Sequence, residues 1–302
     1  MKIYNKVIHL KEEELEKAFK KCPFCDSEKS KTIGIVQESP LVKALVCKSC
    51  HLGYADRQPF QSILDEYYIN YFDATRNTTI KKELLIKHLI AACSIVNQEY
   101  EVFNILDFGG GDGSIGYGLA QHILANNKIE KINIYVIDPN FIAIENNNAK
   151  ISIYNSPSIE AIPSDEKANF VIASAILEHV KGPRKIITQL FDVMQPSAMF
   201  YARTPYIFPF KSLFKKVGIN LSIQYPGHLF DMGNKFWSSI LNTMKQENEL
   251  QILVSRTSLV ETSIEEGFFK WLVSHSFKMP SKFLNNHYHF VGGWEVVIMK
   301  NN

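Results

Sequence analysis

Residues 104–113 constrain this chain most. Asn104-Ile105-Leu106-Asp107-Phe108-Gly109-Gly110-Gly111-Asp112-Gly113 is a short apolar run that ends in an acid and then in glycine at every second position. A buried parallel strand ends this way where a nucleoside-bearing cofactor must touch the backbone. Glycine at 109, 111 and 113 removes each Cβ that would block the approach, and Gly113 to Asn126 reads as a helix whose N-terminus faces the ligand. The segment therefore reads as a cofactor loop.

Which cofactor it takes is a question of charge. Gly111, Gly113 and Gly116 also satisfy the dinucleotide pattern GxGxxG, with Asp138 about the expected ~20 residues further on. A pyrophosphate on this helix would meet Asp107 and Asp112, and like charges at short range in a partly desolvated cleft repel. A zwitterion carrying an ammonium and a sulfonium is attracted instead. With its acid two residues before the first glycine, the DxGxGxG spacing resembles motif I of the class I S-adenosylmethionine (SAM) methyltransferases.

The segments that follow carry the resemblance further. Ile132 to Ile137 is a strand candidate ending in Asp138-Pro139, where an acid can accept both ribose hydroxyls or, on the plainer reading, cap a helix. Ile151 to Tyr154 is a short third strand, and Asn155-Ser156 lies where many methyltransferases contact the adenine edge, without the acid common there. Asn169 to Ser174 has a continuously apolar centre, Phe170 to Ala173, as in a strand buried on both faces. Leu177-Glu178-His179-Val180, then Gly182-Pro183 and the amphipathic stretch Lys185 to Met194, resembles motif IV and the next helix of SAM methyltransferases in small-molecule and surface-glycan biosynthesis. Phe200 to Pro205 resembles their fifth strand with its terminal Thr-Pro. Two departures bear on subfamily: Pro196-Ser197-Ala198 stands for the family's Pro-Gly-Gly turn, and Asn169 for its usual Asp. The resemblance covers roughly residues 100–205. It implies an α/β fold, a Rossmann-like seven-stranded class I methyltransferase sheet, with SAM held by Asp107, Gly109, Gly111, Gly113, Asp138, Pro139, Ser156 and Ser174.

Cysteine spacing adds a second, independent element. Cys22-Pro23-Phe24-Cys25 and Cys47-Lys48-Ser49-Cys50 are two CxxC knuckles, each able to aim two thiolates at one point, and together they suit a closed tetrahedral structural zinc. A pair of disulfides is disfavoured in a reducing cytosol, and a redox CxxC needs no second copy. Lys31 to Gln37 and Leu41 to Val46 read as the hairpin of a zinc ribbon, while Cys93 lies in an apolar helical pattern and reads as core. Four thiolates leave no open coordination position.

Length and charge set the outer bounds. The 302 residues, 46% hydrophobic, accommodate one large domain and a small module. We divide them as 1–58, an N-terminal helix (Lys11 to Lys20) with the ribbon, and 59–302, the methyltransferase domain. A net charge of +2, from 33 basic and 31 acidic residues, gives no electrostatic footprint for nucleic acid or an anionic membrane. The N-terminus lacks the apolar stretch of a signal peptide, and runs such as Leu89 to Val96 are far shorter than the ~20 residues of a membrane span, so a cytoplasmic location is expected.

Gln61 to Phe72 and Ile80 to Val96 have helical apolar spacing; Tyr67, Tyr68 and Tyr71 fit a packing stripe, although tyrosines before motif I often line the methionine end of SAM in related enzymes. A helix over Asn234 to Lys245 and strands over Leu250 to Ser255 and Trp294 to Lys300 complete the sheet with a reversed terminal hairpin. Insertions at 206–232 and 258–286 are the expected places of acceptor recognition, since open α/β sheets bind ligands beyond the strand carboxyl ends. Phe268, Phe269, Trp271 and Leu272 read first as core packing, otherwise as a lid or dimer face. The sequence leaves the oligomeric state open.

Transfer of a methyl group from a sulfonium is an in-line displacement governed mainly by alignment. A sugar hydroxyl must also lose its proton, which asks for a neutral histidine or a carboxylate within reach. His179, at the carboxyl end of the fourth strand, and His228, in the first insertion with Tyr225 three residues before it, are the catalytic candidates. Each has a structural alternative, a hydrogen bond near the cofactor for His179 and a loop anchor for His228. Gln224-Tyr225-Pro226-Gly227-His228 resembles the histidine-bearing segment of zinc-ribbon methyltransferases acting on sugars, without the neighbouring acid; Glu178 reads as a supporting group. The expectation is O-methylation of a sugar or other small hydroxylated acceptor in glycan or small-molecule biosynthesis. The alternatives are methylation of ribosomal or transfer RNA, disfavoured by the charge, sugar C-methylation, and a SAM-binding module without catalysis.

Overall fold

The computed structural model describes residues 9–74, 82–93, 99–142, 144–163, 165–215, 224–246, 248–258, 268–284 and 290–302. Its strands are β1 (Ser30–Gln37), β2 (Val42–Cys47), β3 (Gly53–Ala55), β4 (Glu99–Phe108), β5 (Lys128–Ile137), β6 (Ile151–Asn155), β7 (Ala168–Ser174), β8 (Met194–Tyr206), β9 (Phe230–Asp231), β10 (Leu250–Thr257) and β11 (Gly292–Lys300). The helices are α1 (Gln61–Ala74), α2 (Lys82–Cys93), α3 (Ser114–Asn126), α4 (Pro183–Asp192), α5 (Phe208–Lys215), α6 (Asn234–Met244), α7 (Phe268–Lys278) and α8 (Ser281–Leu284).

Seven strands form one sheet in the order β10-β11-β8-β7-β4-β5-β6. β11 runs antiparallel to both neighbours and the other pairs are parallel, which is the reversed terminal hairpin expected from the sequence. Because successive side chains on a strand point to opposite faces, each central strand feeds two cores. Ile105, Phe170, Ile172, Tyr201 and Val297 pack with α2 and α3 residues such as Leu85, Leu89, Leu119 and Ile123. Leu106, Val171, Ala173, Phe200 and Val296 pack on the other face with Ile187 and Leu190 of α4 and Phe236, Trp237 and Ile240 of α6. α4 begins at Gly182, whose φ of 64° suits glycine, with Pro183 at its first position, where a missing N–H is harmless.

The second core does not stop at the sheet. It runs on through Phe24, Val42, Ala44, Leu52 and Tyr54 of the N-terminal ribbon, and the Phe24 and Phe236 rings meet edge-on with centroids 4.9 Å apart. The ribbon sheet is four-stranded, β1-β2-β3-β9, so its last strand comes from the segment after His228. The two parts read from the sequence share a core and a sheet.

One expected element is absent. Lys11 to Lys20 is not an α-helix: Glu12–Glu14 make a single 3-10 turn and the rest is irregular. The charged residues favour a helix locally, but the backbone finds partners along residues 56–60, with Glu16 N donating to Gln58 O (2.8 Å), Phe19 N to Asp56 O (2.8 Å) and Phe60 N to Glu14 O (2.9 Å). Leu15 is thereby buried, and tertiary pairing overrides propensity. Phe268 and Phe269 have side chains outside the described residues; Trp271 is half-buried against His275 and Leu272 is exposed.

Candidate active site

The loop after β4 is tied down on both sides. Gly109 N donates to Ile137 O at the end of β5 (2.8 Å), and Gly111 N donates to Asp138 Oδ2 (2.9 Å) while Asp138 Oδ1 accepts from Asn140 N (2.8 Å). Gly109, Gly111 and Gly113 all have positive φ, at 74°, 58° and 78°. Their surroundings differ. A Cβ on Gly109 would stand 2.4 Å from Ile176 Cγ1 and one on Gly113 would stand 3.0 Å from Val136 Cγ2, so these two glycines admit protein packing. A Cβ on Gly111 would meet nothing within 4 Å. That single open position is the cradle a bound molecule can fill.

Asp107 lies beneath the loop, wholly buried, with Oδ2 accepting from Gly116 N (3.1 Å). Burial pushes its carboxyl up to about 7, reinforced by the charges of Asp138 and Asp112 and opposed by the Gly116 bond. Three carboxylates around one loop repel an anion and are relieved by a cation, which is the charge pattern of the SAM methionine end and not of a pyrophosphate. The other residues read as cofactor contacts lie at or just beyond the carboxyl ends of β5, β6 and β7. Ser156 N donates to Val136 O (2.8 Å) and its hydroxyl to Ser158 O (2.9 Å), Ser174 Oγ accepts from Arg203 Nε (3.2 Å), and Pro139 is exposed. The residues present fit SAM.

β7 lies beside β4, and the chain leaving it turns at Ala175, φ 57°, so that Ile176 packs on Gly109 two residues before the Glu178-His179 corner. Glu178 is buried, and its carbonyl accepts from Leu229 N (2.8 Å) and Phe230 N (3.3 Å), which docks the second half of the QYPGH segment onto the sheet. His179 Nδ1 is 2.8 Å from Gly227 O; a carbonyl there requires the proton on Nδ1 and leaves Nε2 as a lone pair, 3.7 Å from Glu178 Oε1. Tyr68 of α1 donates to the same carbonyl (2.8 Å), with its oxygen 3.0 Å from His179 Nδ1. The His179 and His228 rings meet edge to face, centroids 4.9 Å apart. Burial lowers His179 to about 4 against the Gly227 bond, and burial followed by the His179 charge lowers His228 to about 3. Both imidazoles are neutral at pH 7.

Tyr225, read as a third member of this group, points elsewhere. Its hydroxyl donates to Arg57 O (3.1 Å), burial raises its pKa, and Arg57 in turn makes a paired contact with Glu12 (2.7 and 2.8 Å). β9 pairs with β3 through Gly53↔Asp231 and Tyr54↔Phe230, and Asp231 Oδ2 accepts from Ile207 N (2.5 Å) and Phe208 N (3.1 Å). Burial pushes Asp231 up to about 7, with the Glu178 charge acting in the same direction. The histidine loop is thus clamped between the ribbon and the sheet.

The four cysteines converge. Cys22 and Cys50 sulfurs are 3.6 Å apart and those of Cys25 and Cys47 are 3.5 Å apart, too far for disulfides and close to the ~3.8 Å edge of a tetrahedron with metal–sulfur bonds of about 2.3 Å. A hydrogen bond from Cys50 pulls Cys22 down to about 6, and the same bond raises Cys50, so the four thiols do not ionise together without a cation among them. Ser49 N donates to Cys47 Sγ (3.3 Å), as a knuckle backbone does toward a thiolate. The cluster fits a structural metal.

A family model of a methyltransferase domain matches residues 71–250, more than half of the chain. The chain belongs to that family. It is a SAM-dependent methyltransferase with a seven-stranded, Rossmann-like methyltransferase fold. Its fold is similar to the plantazolicin methyltransferase BpumL with a monoazolic desmethylPZN analogue and SAH (16% identity, 80% of this chain and 92% of that one, TM-score 0.49). It is similar also to the plantazolicin methyltransferase BamL (16%, 79% and 91%, 0.45) and to a putative methyltransferase complexed with the Trm112 activator of Haloferax volcanii (12%, 71% and 88%, 0.43). No curated protein matches the methyltransferase significantly.

Two features of its site escape sequence reasoning. Tyr68 reaches His179 across 111 positions, and its helical spacing fitted packing equally well. The pairing of β9 with the ribbon joins residues too far apart, and over too short a strand, for any pattern to reveal.

Proposed function

We propose that this methyltransferase transfers the methyl group of SAM to a hydroxyl of a sugar or other small acceptor in glycan or small-molecule biosynthesis. The reading is supported by one juxtaposition: His179, three residues after the Ile176 that packs on Gly109 of the glycine loop, meets His228 ring to ring, and both imidazoles are neutral. Bound SAM supplies an activated methyl group. Asp138 and the Gly111 face hold the ribose and backbone side of it, with Asp107, Gly109 and Gly113 forming the floor and Pro139, Ser156 and Ser174 the rim. His228 and His179 meet the acceptor hydroxyl, whose proton must leave during transfer. Tyr225, with its hydroxyl directed at Arg57, acts in this reading by fixing the loop that carries His228.

Residues 1–58 carry a structural zinc on Cys22, Cys25, Cys47 and Cys50, and residues 59–302 form the methyltransferase domain. Thiolates of this kind suit a reducing compartment, so we place the protein in the cytoplasm. Among the described residues no helix is long and apolar enough to cross a membrane. The glycan class comes from the resemblance of the LEHV and QYPGH segments. A near-zero net charge speaks against RNA, which needs clustered Lys and Arg. The test is transfer of labelled methyl from SAM to nucleotide sugars, lipid-linked glycans and RNA in parallel. Label in either saccharide class supports the reading, and label in RNA alone overturns it.

A further inference from the structure

We propose that Glu178, His179 and His228 form a metal site separate from the cysteine cluster, one that holds a divalent ion such as zinc, iron(II) or cobalt(II) with coordination positions left open toward the acceptor. The inference rests on the reading that the acceptor hydroxyl meets this histidine pair.

One ligand atom from each residue lies within 4.8 Å of the others. With metal–ligand bonds of about 2.0–2.2 Å, two donors on opposite sides of an ion stand about 4–4.4 Å apart, so the three close on one centre by small side-chain movements. Two imidazole nitrogens and one carboxylate form a donor set suited to borderline divalent metals, and three protein ligands leave room for a further one. The surroundings are those a metal-binding histidine needs. Gly227 O accepts a hydrogen bond from His179 Nδ1–H, which fixes the ring and turns the Nε2 lone pair toward Glu178, and Tyr68 donates to the same carbonyl. His228 is held in register with Glu178 by the Leu229 N to Glu178 O bond (2.8 Å) and by its own amide on Gln224 O (3.1 Å). Glu178 is buried, while both histidines keep partial exposure.

An ion here acts as a Lewis acid. A hydroxyl bound to it loses its proton to solvent near neutral pH, as metal-bound water does at a pKa of about 7. The oxygen then forms the new bond to the methyl carbon while the carbon–sulfur bond breaks with its electron pair staying on sulfur, giving the methyl ether and S-adenosylhomocysteine. No external oxidant or reductant enters the balance.

The experiment is a cobalt(II) titration of the full chain with its cysteine-bound metal in place, read by visible absorption and metal analysis, with S-adenosylhomocysteine binding measured by calorimetry on the same samples. One further cobalt per chain is expected, without thiolate charge-transfer absorption. His228→Ala and Glu178→Gln should lose it, and Tyr68→Phe should weaken it by about 10- to 100-fold, all three retaining the cysteine-bound metal. A wild-type protein that takes up no cobalt beyond the cysteine cluster while binding S-adenosylhomocysteine overturns the metal site and leaves the methyltransferase reading intact. Cobalt uptake without binding of S-adenosylhomocysteine does the reverse.

Discussion

The cofactor side and the proposed acceptor side of this molecule are built in opposite ways. Asp107, the glycine loop and the start of α3 come from one unbroken run of sequence, completed by Asp138 at the end of the adjacent strand. The acceptor side is assembled from Tyr68 on α1, Glu178 and His179 after β7, Gln224 to Asp231, and the ribbon residues that pair with the last of these. A site encoded locally can be read and mutated residue by residue. One assembled from distant segments answers to everything that holds those segments in place.

The sharpest way to break this comparison is at Gly111. Gly111→Val puts a side chain into the one open position of the loop and strains a φ of 58°, so it should abolish SAM binding while circular dichroism stays native. Gly109→Ala should instead lower thermal stability, because its Cβ collides with Ile176. A Gly111→Val protein with unchanged calorimetric affinity would remove the cradle from the argument.

On the acceptor side, His228→Ala should lower turnover by roughly 10²- to 10⁴-fold with SAM affinity nearly unchanged. Replacing His179, which touches α1 and the histidine loop at once, should disturb both. The comparison predicts a third behaviour for the ribbon. Cys25→Ser should lose the metal and, because β3 pairs with β9, reduce turnover far more than SAM affinity. Equal losses in both would mean that the ribbon supports the whole sheet rather than the acceptor side.

The smallest effects are those of pH, and the two sides should differ in sign. Asp107 is pushed above its ordinary value to about 7, so its contribution to stability is present in full below pH 4 and is lost as pH rises through 7. A cationic ligand favours the ionised form, so the thermal shift produced by SAM should be larger at pH 8 than at pH 6. His179 and His228 are depressed to about 4 and 3, so their contribution is present above 6.5 and is lost as pH falls toward those values. Differential scanning fluorimetry with and without SAM, from pH 4 to 9, separates the two. A SAM-induced shift independent of pH would show that Asp107 does not feel the ligand's charge.

Legibility followed the same division. The strand and helix around the glycine loop, the terminal hairpin and the cysteine cluster were readable because each shows in a short period or a fixed spacing. The second strand came out longer than its apolar stretch, Lys128–Ile137, because pairing with β4 extends through polar residues that a hydrophobicity pattern ends at. Lys11 to Lys20 was misread because its partners lie some forty positions away. The two histidines were found singly by motif, but neither their contact nor the nearness of Glu178 to both follows from spacing. That Ile176 and Val136 occupy the space beside Gly109 and Gly113 is likewise not legible in a sequence.

The short pairing of β9 with β3 carries a consequence for how such an enzyme changes. Asp231 and Phe230, the residues just beyond the histidine, are hydrogen-bonded neighbours of Gly53 and Tyr54. Any insertion, deletion or register slip in the ribbon is therefore transmitted to the histidine loop within two residues. Swapping ribbons between related enzymes would shift substrate preference as well as folding. Variation selected in the first sixty positions, far from the glycine loop in sequence, is a route by which acceptor range can drift while the cofactor half stays fixed.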